Sequence, residues 1–423
     1  MPDSQPRPPD GAMADTPSLV LCGARLADGR TVDVRIGGGR IEAVGTPGSL
    51  PPGAGAARVD LGGYLLLPAP AEPHAHSDTA LTADRAARSP VPYTSEDVQR
   101  RATEAALLQL GHGATALRSH VRIGDAQELG RLAAVLQARR SLRGLADLTA
   151  VAVPRLLTGL AGADGLAMLR DAVTMGAGVV GGCPDLDPDP TGYVEAVLEI
   201  AAEHGCPVDL HTEGAEPARL ARLAALAGAV PAGVTLGPCA GLAALPAEVA
   251  ARAADQLAAA GVTVVCLPQG GCGGVERRGT ERPAGARGVA PVRLLRAAGV
   301  RLAAGGGALR DVSNPVGRGD PLEAAYLLAS QGGVRAADAY GAVSGAARAA
   351  MGLPEVRVEP GFPAELLAVR GERIEGVLSL AYSRIVIHRG RVVARTSAVR
   401  EYCDSAESGA PELPRQGRPG TGP

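Results

Sequence analysis

Between residues 65 and 307 the chain repeats one pattern eight times: a short apolar run, then a longer stretch with helical character. The runs are LLLPAPAEPHAH (65–76), ATALRSHV (114–121), LTAVAVP (148–154), GVVGGCP (178–184), PVDLHTE (207–213), GVTLGPC (233–239), VTVVCLP (262–268) and VRLAAGGG (300–307). Short, nearly continuous apolar runs read as strands buried on both faces. Parallel strands need a long crossover between them, usually a helix. Helix signals fall in those gaps. TSEDVQRRATEAALLQLG places Thr94 at the N-cap with Asp97 three residues on, and residues 246–261 begin with Pro and end with Gly. The expected fold class is therefore α/β, a (β/α)8 TIM barrel.

Both ends of the chain read differently. SLVLCGARL, TVDVRI and RIEAVG within residues 18–45 alternate in polarity and are separated by Gly turns, and residues 364–369 and 383–395 mirror them. These segments predict a small β-sandwich formed by both chain ends. The expected division is a tail at 1–17, a sandwich from 18–64 plus 362–400, a barrel at 65–361 and a tail at 401–423. The tails are rich in Pro, Gly and polar residues and are expected to be disordered.

Composition narrows the function. Hydrophobic residues make up 46%, with one Phe and no Trp, so the core must be built from Ala, Val and Leu. Net charge is −2 and no long basic run occurs, so neither nucleic acid nor an anionic membrane is an expected partner. All 42 basic residues are Arg, which excludes a Schiff-base Lys, a phosphate-loop Lys and a carbamylated Lys bridging two metals. Seven scattered Cys without CxxC argue against a disulfide framework and for a reducing compartment. With no apolar core in the first residues to make a signal peptide, and no apolar run long enough to span a bilayer, the expected location is cytoplasmic.

In a barrel of this kind the active face lies at the C-terminal strand ends. Glu72, His74 and His76 end the first run, and His211 ends the fifth. Side chains two apart share a strand face, so His74 and His76 point into one cavity. Three neutral imidazoles suit zinc or iron(II). The other reading of the same residues is buried histidines satisfied by hydrogen bonds. His120 ends the second run, either as a donor behind the ligands or as a core histidine. His112, His204 and His388 read as structural or solvated, and QGGCGG (269–274) as a loop at the barrel mouth.

Several of these segments carry a resemblance. PAPAEPHAHSD (68–78), LRSHV (117–121), VDLHTE (208–213), GFPAELLAV (361–369) and VIHRGRVVA (386–394) resemble the amidohydrolase superfamily, and within it the cytosine-deaminase branch. The resemblance spans roughly residues 18–397. It implies one divalent metal, Zn or Fe, on His74, His76 and His211, and hydrolysis of a C–N bond in a small cyclic substrate. It also implies four functional positions that this chain has lost. The family's catalytic Glu falls on Gly214, its sixth-strand His on Pro238, its eighth-strand metal-binding Asp on Gly307, and its third-strand amide on Arg155. Glu213, Glu216 and Asp311 are the nearest acids that could move a proton, although Asp311 also reads as a loop acid or cap. His120 and Arg155 are expected to line the substrate pocket. Two functions follow as expectations: a metal-dependent hydrolase with an incomplete catalytic set, or a catalytically inactive homologue serving as a binding or partner subunit. In both, the ligand is a small molecule and a homo-oligomer is expected.

Overall fold

The structure is a computed structural model and describes residues 18–51, 56–86, 94–124, 129–228, 230–270, 289–380 and 383–398. Among these residues the strands form two sheets. The chain ends build the first, from β1 (Leu19–Arg25), β2 (Thr31–Gly37), β3 (Arg40–Gly45), β4 (Ala57–Asp60) and β5 (Tyr64–Pro68). The C-terminal part adds β14 (Leu366–Arg370), β15 (Arg384–His388) and β16 (Arg391–Thr396). The order is β16-β15-β14-β5-β1-β2-β3, with β4 also paired to β1. Most pairs are antiparallel, and the sheet encloses its own core around Leu21, Val34, Ile36, Leu61 and Leu66. Both expected tails lie outside the described residues.

The second sheet is the barrel. Its eight parallel strands run in sequence order: β6 (Ala71–Ala75), β7 (Ala116–Ile123), β8 (Asp147–Pro154), β9 (Val179–Gly182), β10 (Val208–Thr212), β11 (Val234–Pro238), β12 (Thr263–Cys266) and β13 (Arg301–Ala304). A parallel bridge between Ala75 and Gly307 brings the eighth strand back to the first. Helices alternate with the strands. Helix Ser95–Gly111 starts as its sequence dictates, with the Asp97 amide donating to Thr94 Oγ1 at 3.2 Å. The core is mostly Ala, Val and Leu, joined by a few others such as Ile123, Ile200, Tyr193 and Tyr340. No helix among the described residues is long and apolar enough to cross a membrane.

One expected strand is really two. Residues 65–76 read as a single run, but Tyr64–Pro68 pairs with β14 in the end sheet and the barrel begins at Ala71. Pro68 and Pro70 lack the N–H that a continuous ladder needs, so the chain leaves one sheet and enters the other between them.

A buried ion pair ties the end sheet to a helix of the barrel. Arg384 on β15 grips Asp320 with both Nη atoms, at 2.8 and 2.7 Å, and also donates to the His112 carbonyl at 2.6 Å. Asp320 in turn caps helix Pro321–Ser330 by accepting from the Leu322 amide at 2.9 Å. Tyr340 Oη donates to the Pro68 carbonyl at 2.6 Å, clamping the crossover between the sheets.

Candidate metal centre

The period-two rule places the site. His74 and His76 stand on and just beyond β6, His120 on β7 and His211 on β10, and all four are buried. Their rings crowd together. His74 lies 3.9 Å from His120, 5.1 Å from His211 and 5.2 Å from His76, centroid to centroid. His76 lies 5.5 Å from His120 and 6.3 Å from His211. Nitrogens of His74, His76 and His120 all fall within 4.8 Å of one another. His211 shares the pocket and faces His76 across the longest of these separations.

Behind the imidazoles is a layer of charge, set two residues back on the same strands. Arg118 Nη1 donates to Asp209 Oδ2 at 2.9 Å and to Thr235 Oγ1 at 3.2 Å, and Nη2 donates to the Ala350 carbonyl at 3.0 Å. Asp209 Oδ1 stands 3.3 Å from His120 Nε2. Burial alone would raise the Asp209 carboxyl, but His120 and Arg118 outweigh it and hold the group below its ordinary range. Asp209 is thus a carboxylate at neutral pH.

Glu72 makes the other buried acid. Its Oε2 accepts from the Gly306 amide at 2.7 Å and its Oε1 from the His74 amide at 3.1 Å. Burial lifts its pKa to about 7 against the pull of those amides. The side chain fills the space beside Gly305 and Gly306.

The remaining candidates have definite places. Asp311 is fully buried: its Oδ2 accepts from Thr79 Oγ1 at 2.8 Å, and its Oδ1 from the amides of Ser313 and Asn314 at 2.8 and 3.1 Å. It braces the loop after β6. Glu213 is half-buried, its amide bound to Asp185 Oδ2 at 3.0 Å. Glu216 and Arg155 are exposed. Pro238 ends β11 as a buried residue, and a Cβ on its neighbour Gly237 would lie 3.7 Å from His74 Nδ1. Gly214 and Gly307 have φ of +68° and +69°, a region that L side chains rarely adopt. The segment QGGCGG falls mostly outside the described residues. Sequence reasoning overlooked Arg118 and Asp209 and gave Glu72 no role. The signal was present, since each stands two residues before a histidine and so shares its strand face or, for Glu72, its strand.

The donor set fits a divalent metal. Both ring nitrogens of His74, His120 and His211, and Nε2 of His76, are buried without a hydrogen-bond partner. Each such orphan costs about 1–3 kcal/mol. The buried His388 outside the pocket differs only in part: its Nδ1 is paired with Glu365 at 2.8 Å and its Nε2 alone lacks a partner. Burial, and then the neighbouring imidazoles, press His74 and His76 well below their ordinary pKa, so both are neutral and carry the lone pair that a metal requires. Burial pushes the Cys266 thiol up to about 12 and raises Cys239 as well, so neither is a thiolate at neutral pH.

Fold and site together define a hydrolase-type barrel with a histidine centre, and comparison with known proteins agrees. The model of the amidohydrolase family matches residues 112–394, and the chain belongs to that family. It is 27% identical over 394 residues to the pterin deaminase of Rhizobium rhizogenes (strain K84 / ATCC BAA-868), covering 86% of this chain and 88% of that protein. Among solved structures, N-isopropylammelide isopropylaminohydrolase from Burkholderia multivorans superposes with a TM-score of 0.77 at 26% identity, over 91% of this chain and 100% of that one. The 5-methylcytosine deaminase of Klebsiella pneumoniae shares the fold, with a TM-score of 0.78 at 23% identity over 91% of this chain and 100% of that one.

Proposed function

We propose that this protein is a metal-dependent hydrolase of the deaminase-like branch, acting on a C–N bond of a small, amino-substituted nitrogen heterocycle through an imidazole-only centre. One observation carries the reading: four clustered histidines of the barrel hold seven buried ring nitrogens without partners, and three of the rings bring nitrogens within 4.8 Å of one another. The substrate class is supported by the names of the relatives, whose substrates (a pterin, an isopropylammelide and a methylcytosine) all carry a nitrogen substituent on such a ring.

A divalent zinc or iron held by these imidazoles would supply Lewis acidity and a more acidic water. The chain's own residues do the rest. His74 and His76 present neutral donors, and the Arg118–Asp209 pair fixes the layer beneath them. Proton transfer is the weak point. The Asp311 oxygens are engaged by Thr79, Ser313 and Asn314. Of the acids singled out from the sequence, that leaves Glu213, half-buried just beyond β10, to move a proton. Losing a well-placed general acid or base typically costs about 10²–10⁴-fold. The expected activity is slow hydrolysis of activated substrates, without ordinary cytosine deamination.

A second reading, a homologue that binds the heterocycle without turning it over, is favoured by a separate observation. The sixth and eighth strands end in Pro238 and Gly307, neither of which offers a side-chain ligand or proton carrier. Metal content of protein purified from unsupplemented medium, with amine release from pterin, cytosine, 5-methylcytosine and N-isopropylammelide, separates the two. About one divalent ion per chain with slow release supports the hydrolase. An ion and saturable binding without release supports the binding protein. Absence of any bound divalent ion sinks the hydrolase reading, and release from cytosine at about 1–10³ per second would show a conventional enzyme.

A further inference from the structure

The four imidazoles of the pocket are not equivalent. Of the four, His120 is the one with a carboxylate beside a ring nitrogen, Asp209 Oδ1 at 3.3 Å from its Nε2. Asp209 is completely buried and anchored on its other oxygen by Arg118 at 2.9 Å. Its Oδ1 is therefore held in place beside His120 without a formed hydrogen bond. His120 is also the ring nearest His74, at 3.9 Å, and one of its nitrogens lies within 4.8 Å of donors on both His74 and His76. A metal-bound imidazole almost always donates its far N–H to a carboxylate or carbonyl, which fixes the tautomer and makes the ring a stronger donor. His388, paired with Glu365 at 2.8 Å, also keeps a buried, unpaired Nε2, so what sets His120 apart is a ring nitrogen that stands beside donors on two other unpaired imidazoles.

We infer that His120 is a metal ligand of this protein and that Asp209 is its positioning residue, so that the second strand makes up for the acid missing from the eighth. The inference rests on the reading of the pocket as a divalent-metal centre. A small turn of the ring aligns Nε2–H with Asp209 Oδ1 and leaves the lone pair of the other nitrogen for the ion. The negative charge absent at Gly307 is then supplied one imidazole away from the metal. Arg118 offsets part of that charge, so the centre stays more cationic than one with a directly bound carboxylate. His74, His76 and His120 form the tight group, and His211 completes the set from across the pocket.

The test uses the full chain, stripped with a chelator, then titrated with Zn(II) by calorimetry and with Co(II) by visible absorption. His120→Asn keeps the Arg118–Asp209 pair, so its fold is protected, and it should weaken Zn(II) binding by more than about 100-fold and change the Co(II) spectrum. Asp209→Asn should weaken Zn(II) binding by roughly 10–100-fold, the range for losing the outer partner of a ligating histidine. His204→Asn, on an exposed helix end, should match the unaltered protein in both titrations. If His120→Asn binds Zn(II) as tightly as the unaltered protein and gives the same Co(II) spectrum, His120 is not a ligand; the metal-centre reading then survives on the other imidazoles. If the unaltered protein binds no Zn(II), both fall.

Discussion

A β-carbon on Gly305 would collide with Oε1 of Glu72. The side chain on the first barrel strand occupies the room that the eighth strand leaves, and the Gly306 amide holds it there at 2.7 Å. Acid and glycine are thus complementary. Gly305→Ala overpacks a rigid contact and should cost about 1–3 kcal/mol. Glu72→Ala strands two buried amides and should cost a similar 1–3 kcal/mol. In the double variant the collision is gone, so its loss should fall short of the sum by about 0.5–3 kcal/mol. Urea unfolding of the four proteins measures this coupling, and strict additivity would refute the relationship.

The Asp320–Arg384 pair should set part of the acid stability. Burial alone would raise the Asp320 carboxyl, but Arg384 outweighs it and holds the folded pKa below the ordinary value. The stabilisation is therefore complete above the unfolded pKa of about 4 and is lost as pH falls through the lower folded value. Asp320→Ala leaves a buried Arg384 unpaired and should cost about 3–5 kcal/mol at neutral pH. The gap between the two proteins should narrow below about pH 4. A gap that stays constant from pH 7 to 3 would contradict this account.

Placing ligands at the ends of the sixth and eighth strands should raise metal affinity more readily than turnover. Gly307→Asp with Pro238→His adds an anionic donor and a further imidazole, while Gly214 and Arg155 remain. Gly307 has φ +69°, so the aspartate carries about 1–2 kcal/mol of backbone strain. We expect tighter Zn(II) binding, lower stability of the metal-free protein and little gain in cytosine deamination. Calorimetry and an ammonia assay on the same preparation check all three, and turnover at about 1–10³ per second would overturn the account of what the site lacks.

Metal should also stabilise the native chain. A centre that exists only in the folded barrel couples binding to folding, and Zn(II) at a hundred times its Kd should add about 2.7 kcal/mol. Chelator-treated protein should therefore unfold at a lower temperature than protein with Zn(II) restored. Thermal unfolding followed by circular dichroism reads the difference, and identical midpoints would mean that no metal binds the native pocket.

The sequence alone determined the barrel, because eight apolar runs separated by helical stretches leave few ways to bury both faces of a parallel sheet. It also singled out His74, His76 and His211 as strand-end histidines, since strand period and strand end are local properties, but the tight group of ring nitrogens in the folded barrel is His74, His76 and His120. Tertiary structure decided what those residues face. Asp209 lies 91 positions from Arg118 and Gly306 lies 234 from Glu72, and nothing in the spacing of either pair says that they meet. The break at Pro68 and Pro70 was legible as two prolines, but only the pairing of Tyr64–Pro68 with Leu366–Arg370 shows which sheet each half joins. Closure of the barrel brings the first, second, fifth and eighth strands to one cavity, and the contacts made there depend on the shape of the closed sheet rather than on any stretch of chain.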